Sequence, residues 1–395
     1  MSGTNYPAVF VKADRLAAIE RFHPWIFSKG IKSKGPVRDG DLVKVMGPSG
    51  QYLATGHYHD AAIAVRILSY KDIPINQDFW IAAINRCLDR RKTLNLPNAH
   101  TTAYRLVHGE GDNLSGLIID VYDKTAVIQC HTVGMYRSMQ EIATALKEVF
   151  GPQTAVYNKS GNTLPASFHA EIKDGFILGK SEQLTVKENG HLFHIDLIEG
   201  QKTGFFLDQR DNRQLLSSFA ANKKILNLYC YTGGFSIYAL NEGATYVCSV
   251  DASAKAISLL EENIKLNEIN PEKHLSITGD VKNVLKEIPR YSYDIIVVDP
   301  PAFAKSQYKS HNAIQAYKRI NAMAMDKVNR GGLIFTFSCS QVIDQVLFQN
   351  TITAAAIESG RDIRILNTLS QGPDHPVNIF HPEGKYLKGL VLQVE

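Results

Sequence analysis

The sequence predicts an α/β protein of three domains, in which the C-terminal half forms a doubly wound and mostly parallel sheet. The main observation is a regular alternation of strand-like and helix-like segments from about residue 191 to the end. A length of 395 residues is enough for two or three domains. Hydrophobic residues make up 44% of the chain and charged residues 21%, which is typical of a globular protein that buries a core.

The first domain, residues 1–72, is predicted to be a small β-barrel. Its apolar runs are short, and turn residues such as Gly40, Gly50 and Gly56 separate them. One helical turn is expected over residues 15–20. The four predicted strands cover residues 8–11, 41–45, 52–54 and 63–68.

Positive charge and aromatic residues concentrate in this first domain. It carries ten Lys and Arg against six Asp and Glu, whereas the rest of the chain carries 33 of each, so the whole net charge of +4 lies here. This balance permits a nucleic-acid partner. Arg21 suits a contact with phosphate, and Trp25 suits stacking on a base. The alternative is that Trp25 and Phe27 fill the core of the barrel.

The second domain, residues 73–190, is predicted to be an α+β unit. Its expected elements are helices at 79–94 and 139–150 and a hairpin of 117–122 and 126–130. The segment 104–112 is too rich in charge and glycine to be only a connection.

The third domain, residues 191–395, contains the alternating segments. Its seven predicted strands are 225–228, 246–250, 275–278, 295–298, 333–337, 363–366 and 387–394. Its five predicted helices are 235–241, 254–266, 281–288, 313–328 and 342–359. Five strand–helix units imply a parallel sheet, and the last two strands, which share no clear helix, are expected to pair antiparallel.

Several classes of protein are excluded at this stage. No run approaches the ~18 apolar residues of a membrane helix, and the first residues lack the basic and apolar regions of a secretory signal. The five cysteines are scattered without a CxxC pair, so we expect neither a disulfide framework nor a metal site, but reduced thiols in a cytoplasm. Cys87, Cys130 and Cys248 are expected to be small buried side chains.

A nucleotide-like cofactor is predicted at the start of the third domain. Gly233 and Gly234 lie between the first strand and a helix, where a ligand can approach the backbone and the free amides of the helix. The second strand ends in Asp251, which suits ribose hydroxyls, and the third ends near Asp280, which suits an adenine amine. The alternative for both carboxylates is that they cap the following helices.

The glycine pattern favours S-adenosylmethionine over a dinucleotide. A dinucleotide fingerprint needs three glycines at fixed spacing around a pyrophosphate, and this turn has only an adjacent pair. A Walker lysine is also missing. S-adenosylmethionine has no phosphate and needs less of the amide cradle.

A second pair of strand ends carries reactive side chains. One strand ends in Asp299-Pro300-Pro301-Ala302-Phe303, and the next ends beside Cys339. This pair fits the methylation of carbon 5 of a cytosine: a thiolate adds at carbon 6, and a donor at the N3/N4 edge stabilises the adduct. Cys339 is then the nucleophile and Asp299 the donor, while Pro300 and Pro301 aim the loop and Phe303 stacks on the base. The alternatives are that Cys339 is a buried strand-end residue and that Phe303 packs in the core.

These motifs in combination resemble the RlmI-type methyltransferases of large-subunit ribosomal RNA. The resemblance spans nearly the whole chain, at residues 23–27, 105–106, 110–117, 188–190, 200–210, 299–303, 338–340, 374–376 and 382–389. It implies an N-terminal PUA domain, a central domain and a Rossmann-like methyltransferase domain. It also implies S-adenosylmethionine as methyl donor, 5-methylcytosine in 23S ribosomal RNA as product, and Cys339 as nucleophile.

The resemblance completes the list of expected site residues. Those expected to bind the cofactor are Tyr229, Tyr231, Thr232, Gly233, Gly234, Phe235, Asp251, Ala252, Asp280, Val281, Asp299 and Gln209. Those expected to contact the RNA are Pro300, Pro301, Phe303, Arg21 and Trp25.

Two departures from related enzymes keep alternatives open. Ser115 stands where proline is expected, and the Asp-Pro-Pro loop lacks the second cysteine that other RNA cytosine-5 methyltransferases use for product release. Relatives with a similar loop methylate guanine N7, which needs no nucleophile. A non-catalytic RNA-binding assembly factor is a further alternative, and a small-molecule methyltransferase is disfavoured by the added domains. The sequence leaves open a homodimer and does not name the modified nucleotide.

Overall fold

The computed structural model describes residues 5–181, 184–304, 308 and 310–395, without the side chains of 169–171. Its described residues divide into two compact units. Unit 1 is formed by Met1–Val186, Ile195–Leu207 and Pro373–Gly384, and unit 2 by Lys187–His194, Asp208–Gly372 and Lys385–Glu395. The predicted domain boundaries at residues 72 and 190 stay a prediction.

Unit 1 begins with a six-stranded sheet. Its strands are β1 (Ala8–Val11), β2 (Trp25–Phe27), β3 (Ile31–Lys34), β4 (Leu42–Met46), β5 (Tyr52–Tyr58) and β6 (Ile63–Ser69), and helix α1 (Leu16–Glu20) follows β1. The order is β2-β6-β5-β4-β1-β3, and all neighbours pair antiparallel except β1 and β4. Side chains from five of these strands share one core with Ile19 of α1, so the sheet curls around it as a barrel does.

The four strands predicted in this region are confirmed, and two were missed. β4 shows why the prediction worked, because its residues alternate between buried and partly buried, as on a sheet with one core face. β3 was missed because three of its four residues are exposed and polar. β2 is only three residues long, and its aromatic residues were interpreted as functional.

A second sheet of unit 1 has five strands and is covered by helices. In chain order the elements are α2 (Gln77–Thr93), β7 (Ala103–His108), β8 (Leu117–Tyr122), β9 (Thr125–Cys130), α3 (Val133–Arg137), α4 (Met139–Phe150), β10 (Ala155–Asn158) and β11 (Gly175–Leu178). The order is β11-β10-β9-β8-β7. The predicted hairpin is β8 and β9, and it turns at Asp123 with a left-handed φ of 54°. Trp80, Ile84 and Leu146 pack in the core between this five-stranded sheet and its helices.

The charged segment 104–112 is part of this architecture. It forms β7 and a short turn, and Asp112 accepts hydrogen bonds from the buried Arg91 and from the backbone N–H of His108. Arg105 makes a two-pronged ion pair with the buried Asp120. The segment is therefore more than a connection, because its charges are paired inside unit 1.

A hairpin of β12 (Leu184–Glu188) and β13 (His191–Ile195) leads to the seven-stranded sheet of unit 2. That sheet consists of β14 (Lys224–Leu228), β15 (Tyr246–Asp251), β16 (His274–Thr278), β17 (Tyr293–Val298), β18 (Val328–Ser338), β19 (Ile363–Leu369) and β20 (Lys388–Val394). Its helices are α5 (Arg210–Ala220), α6 (Gly234–Asn241), α7 (Ala254–Leu266), α8 (Val281–Glu287), α9 (Ser310–Lys327) and α10 (Gln345–Ser359).

The topology of this sheet confirms the predicted parallel and antiparallel parts. The order is β16-β15-β14-β17-β18-β20-β19. The first five strands in this order run parallel, and β20 pairs antiparallel with both β18 and β19. The carboxyl ends of β14 to β18 therefore share one edge, where open parallel sheets bind their ligands. In the described part of the chain, no helix is both long and apolar enough to cross a bilayer.

Candidate active site

The turn after β14 has an unusual backbone with three left-handed residues. Tyr229, Tyr231 and Gly233 all have left-handed φ angles of 59°, 48° and 85°. For a tyrosine this conformation costs about 1–2 kcal/mol, and such strain clusters at functional sites. Gly233 has no alternative, because a Cβ there would lie 2.0 Å from Leu260 Cδ1. The predicted glycine turn is thus confirmed in position and conformation, whereas its ligand contacts stay a prediction.

Asp251 holds this turn in place. Its carboxylate accepts one hydrogen bond from the backbone N–H of Tyr231 and one from that of Ser253, both at 2.9 Å. The helix cap of α7 is Ser253, so the alternative interpretation of Asp251 as that cap is wrong. Each carboxylate oxygen keeps acceptor capacity, which suits two ribose hydroxyls.

Asp280 is exposed and does cap a helix. Its side chain accepts a hydrogen bond from the backbone N–H of Asn283 at 3.1 Å, as the first turn of α8 requires. The capping interpretation is confirmed for this residue. Asp251 pairs in register with Thr278 at the end of β16, so the two carboxylates follow adjacent strand ends. A contact of Asp280 with adenine stays a prediction.

The other expected cofactor residues surround this turn with different degrees of burial. Thr232 is buried, and its Oγ1 has no hydrogen-bond partner among the described residues. The ring of Phe235 packs against that of Phe337, with their centroids 5.7 Å apart, so this side chain anchors the start of α6. Ala252 is exposed and Val281 is buried at the start of α8. An orphaned hydroxyl, a carboxylate with spare acceptors and a tight glycine turn fit the adenosine part of S-adenosylmethionine.

A buried ion pair supports the glycine turn, and the sequence interpretation gave it no role. Arg213 of α5 pairs with both oxygens of Glu188 at 2.8 and 2.9 Å. Tyr238 also donates to Glu188, at 3.0 Å. A Cβ on Gly234 would lie 2.9 Å from Arg213 Cδ. The signal in the sequence was the Glu188-Asn189-Gly190 motif, which was used only for the resemblance.

Asp299 ends β17 with an acidic group that is poised near neutral pH. Its pKa is raised to about 7, first by burial and then by the charge of Asp208, against a hydrogen bond from Gln209 and the charge of Arg213, which lower it. Gln209 Nε2 donates to Asp299 Oδ2 at 2.9 Å, and Gln209 is itself fixed by Asn212 at 2.6 Å. Gln209 therefore orients the carboxyl group that was predicted to be catalytic.

The loops that carry Asp299 and Cys339 are joined directly. Ser340 Oγ donates to the backbone carbonyl of Ala304 at 2.7 Å, and β17 and β18 are parallel neighbours. Cys339 follows the last residue of β18 and is partly exposed. The alternative of a fully buried strand-end cysteine is wrong. Lys388, which the sequence interpretation missed, donates to the Ser340 carbonyl at 2.6 Å.

The rest of the Asp-Pro-Pro loop combines exposed and packed residues. Pro300 is buried and Pro301 is exposed. Phe303 packs edge-on against the buried Tyr317 at 4.7 Å, while it keeps some exposed surface. The core-packing alternative for Phe303 therefore has direct support, and stacking on a base stays a prediction.

The residues predicted to contact RNA in the first domain have separate environments in unit 1. Arg21 is exposed. Trp25 donates its indole N–H to Glu110 at 2.9 Å and to Ser115 at 3.1 Å, and the Arg66 guanidinium lies over its ring at 5.0 Å. Trp25 is thus only partly buried and binds polar side chains, which is a structural role other than filling the barrel core, and its contact with RNA stays a prediction. The hydroxyl of Ser115 makes contacts that a proline at this position could not make.

Phe27 departs from the alternative that was considered for it. Half of its surface is exposed, so it does not fill the core of the six-stranded sheet. Cys87, Cys130 and Cys248 are buried as expected, and burial raises the pKa of the first two to about 12. No disulfide joins any of the five cysteines, all of which lie in the described residues.

Comparisons with known proteins agree with this geometry. A family model described as S-adenosylmethionine-dependent methyltransferase matches residues 167–378, and one described as a PUA-like domain matches residues 9–70. A protein named ribosomal RNA large subunit methyltransferase I from Aeromonas salmonicida is 37% identical over 98% of both chains. The chain belongs to this methyltransferase family. A relative of the same name from Vibrio cholerae is 35% identical over 98% of this chain and 99% of its own.

A solved structure extends the agreement to the fold. A methyltransferase complexed with SAH, the demethylated product of the cofactor, superposes with a TM-score of 0.84 at 24% identity and covers 98% of this chain and 100% of its own. The methyltransferase fold, the PUA-like N-terminal domain and the dependence on S-adenosylmethionine are confirmed. As a member of this family, the protein is an enzyme.

Proposed function

We propose that this enzyme transfers a methyl group from S-adenosylmethionine to carbon 5 of a cytosine in 23S ribosomal RNA, through a covalent adduct with Cys339. One observation carries the proposal. A partly exposed cysteine and a carboxyl group with a pKa of about 7 directly follow neighbouring parallel strands, and their loops are tied together by Ser340. Cys339 and Asp299 together support a reaction in which one ring needs both a nucleophile and a proton donor.

The proposed reaction consists of addition to the ring, methyl transfer and elimination of the thiolate. The Cys339 thiolate adds to carbon 6 of the cytosine, and N3 takes a proton from the Asp299 carboxyl group. Carbon 5 then takes the methyl group that the cofactor supplies, and the methyl–sulfur bond breaks with its electron pair left on the sulfur of S-adenosylhomocysteine. A base then takes the proton from carbon 5, the bond between carbon 6 and sulfur breaks, and N3 returns its proton to the Asp299 carboxylate. Asp299 suits both proton transfers because its pKa lies near neutral pH.

The RNA substrate is proposed from the family and from unit 1. The relatives are named for the RNA of the large ribosomal subunit, and full-length coverage makes a shared substrate class the simplest inference. In unit 1, the exposed Arg21 and the half-exposed ring of Phe27 offer a cation and a stacking surface. Free 23S RNA and a precursor of the large subunit are both compatible with this proposal, and either places the enzyme in the cytoplasm.

The decisive experiment is single-turnover transfer of labelled methyl by Cys339→Ala. The variant should bind cofactor and RNA but transfer no methyl group to cytosine. Cys248→Ala, a change of a buried cysteine on β15 of the same sheet, is the matched control and should keep wild-type chemistry. Transfer at near wild-type rate by Cys339→Ala would contradict the covalent mechanism and make guanine N7 the better target.

A further inference from the structure

Lys388 has an environment that is uncommon for a lysine. It is the first residue of β20 and is only 3% exposed. Its Nζ donates to the backbone carbonyls of Ser340 and Tyr386, both at 2.6 Å. Its backbone pairs in register with Ser338, the last residue of β18. Lys388 therefore binds the short segment 338–340 from both sides of Cys339.

A buried ammonium in this place needs a reason, because burying a charge costs several kcal/mol unless it is compensated. The two recorded acceptors are neutral carbonyls. The pKa of Lys388 is lowered to about 8 by burial, against the charges of Cys339 and then Asp344, which raise it. A hydrophobic side chain would fill the same strand position without this cost, so the charge itself is the feature to explain.

The effect of one charge on another is mutual. If an ionised Cys339 favours the protonated form of Lys388, then protonated Lys388 favours the thiolate of Cys339 by the same free energy. The thiolate is the form that attacks carbon 6, and an ordinary thiol is only a few per cent ionised near pH 7.

We infer that Lys388 is a positioning residue that fixes the loop carrying Cys339 and supplies the positive charge that keeps its thiol partly ionised. The inference deepens the proposed function and rests on it, because a poised thiolate has a purpose only if Cys339 is the nucleophile. No relative's name and no family match assigns a role to this lysine.

Other ionisable groups act on the same site and set the pH range. Asp344, which caps α10, favours the protonated form of Lys388. Tyr317 of α9 interacts with the charges of Cys339 and Asp299, and its own pKa is raised to about 12, so it stays neutral. Above about pH 8 Lys388 loses its proton. Its support for the thiolate is therefore present below pH 8 and lost above it.

The test is the pH dependence of Cys339 alkylation by iodoacetamide in the full-length protein without RNA, followed by mass spectrometry of each cysteine peptide. In the wild type, Cys339 should ionise at lower pH than the same cysteine in the urea-unfolded chain. In Lys388→Met, alkylation of Cys339 at pH 7 should be about tenfold slower, since loss of an adjacent opposite charge shifts a pKa by ~1 or more. Lys388→Arg should restore most of the rate.

Lys385→Met is the matched control, because Lys385 is an exposed lysine three residues away. It should leave the alkylation profile unchanged. An identical profile in Lys388→Met and the wild type would overturn the inference. If Lys388→Met does not fold, the wild type still decides: a Cys339 that ionises at or above the pH of the unfolded chain would overturn it as well.

The alkylation test of Lys388 and the methyl-transfer test of the proposed function can fail independently of each other. If Cys339→Ala keeps its methyl transfer while Lys388→Met shifts the alkylation profile, the covalent mechanism is wrong and the link between Lys388 and the thiol stands. If Cys339→Ala is inactive and the profile does not shift, the covalent mechanism stands and the role of Lys388 is wrong.

Discussion

Two polar clusters, one in each unit, differ in how completely their groups are satisfied. Around Trp25 in unit 1, Glu110 accepts hydrogen bonds from the indole, from Arg66 and from Ser115, at 2.9, 2.8 and 2.5 Å. These bonds and the charge of Arg66 outweigh burial and lower the pKa of Glu110. Around Asp299 in unit 2, a single amide donates to the carboxyl group and burial dominates, so its pKa rises to about 7.

The difference distinguishes a structural cluster from a reactive one. A carboxylate that accepts several hydrogen bonds beside a cation, as Glu110 does, stays ionised, whereas one that is desolvated and close to Asp208 can exchange a proton at neutral pH. Both clusters contain residues that the sequence marked as functional. Their acid strength, rather than their composition, is the reason why we propose a catalytic role for the second cluster.

The largest expected effect comes from Asp299→Asn. The amide keeps the shape of the side chain but gives no proton to N3, so single-turnover methyl transfer should fall by about 10²–10⁴-fold. In the wild type, the rate should decrease above pH 7, where Asp299 loses its proton, and this decrease should be absent from the variant. Rapid-quench measurements between pH 6 and 9 test both points, and an unchanged rate would contradict the assignment.

The same change should stabilise the protein above pH 7. Asp299 binds a proton in the folded state up to about pH 7 but in the unfolded state only to about 4, so wild-type stability falls as pH rises through that window. Asparagine removes this loss, which is on the order of 4 kcal/mol for a window of about three pKa units. Asp294→Asn is the control, since Asp294 accepts two N–H groups near the start of the same strand.

The opposite result is expected for the satisfied cluster. Glu110→Ala should destabilise unit 1 by about 3 kcal/mol, because it leaves the partly buried Arg66 without its carboxylate. Hydrogen exchange of the amides in β2 and β6 measures this loss locally. Asp72→Ala breaks an ion pair whose carboxylate is 48% exposed, and it should cost less than ~1 kcal/mol. Similar losses in the two variants would mean that the cluster around Glu110 carries no special stability.

The predicted parts of the fold are those in which hydrophobic pattern and burial agree. All seven strands of the seven-stranded sheet were found, and central runs such as β17 show why, because they are apolar and almost wholly buried. Helix α5 was missed because its buried residues include Arg210, Asn212 and Arg213, which hide the apolar periodicity. Tertiary partners such as Glu188 stabilise these polar groups, and no local pattern reports those partners.

The site followed the same rule. Strand ends located Asp251, Asp299 and Cys339, because parallel topology brings carboxyl ends to one edge. Lys388 lay in a motif used only for the resemblance and was given no role, because only the structure shows that it is buried. The acid strength of Asp299 was also out of reach, since it depends on burial and on Asp208, which is 91 residues earlier in the chain.

The smallest expected effect is that of Asp251, whose hydrogen bonding is intermediate between that of Glu110 and that of Asp299. This carboxylate is half satisfied, because each oxygen accepts one backbone N–H and keeps room for a second donor. Asp251→Ala should weaken binding of S-adenosylmethionine by about 1–3 kcal/mol, the range for losing a hydrogen bond to a charged group. Isothermal calorimetry measures the affinity, and Asp294→Ala should leave it unchanged.

A change in affinity could also come from the loss of Tyr231's anchor, so the probe must separate the two causes. A 2′,3′-dideoxy analogue of S-adenosylhomocysteine lacks the hydroxyls that Asp251 would accept. If Asp251 binds the ribose, the variant should bind this analogue nearly as well as the wild type does, while it binds the natural compound less well. If both compounds lose affinity equally, Asp251 only shapes the turn, and its carboxylate belongs with Glu110 among the satisfied groups.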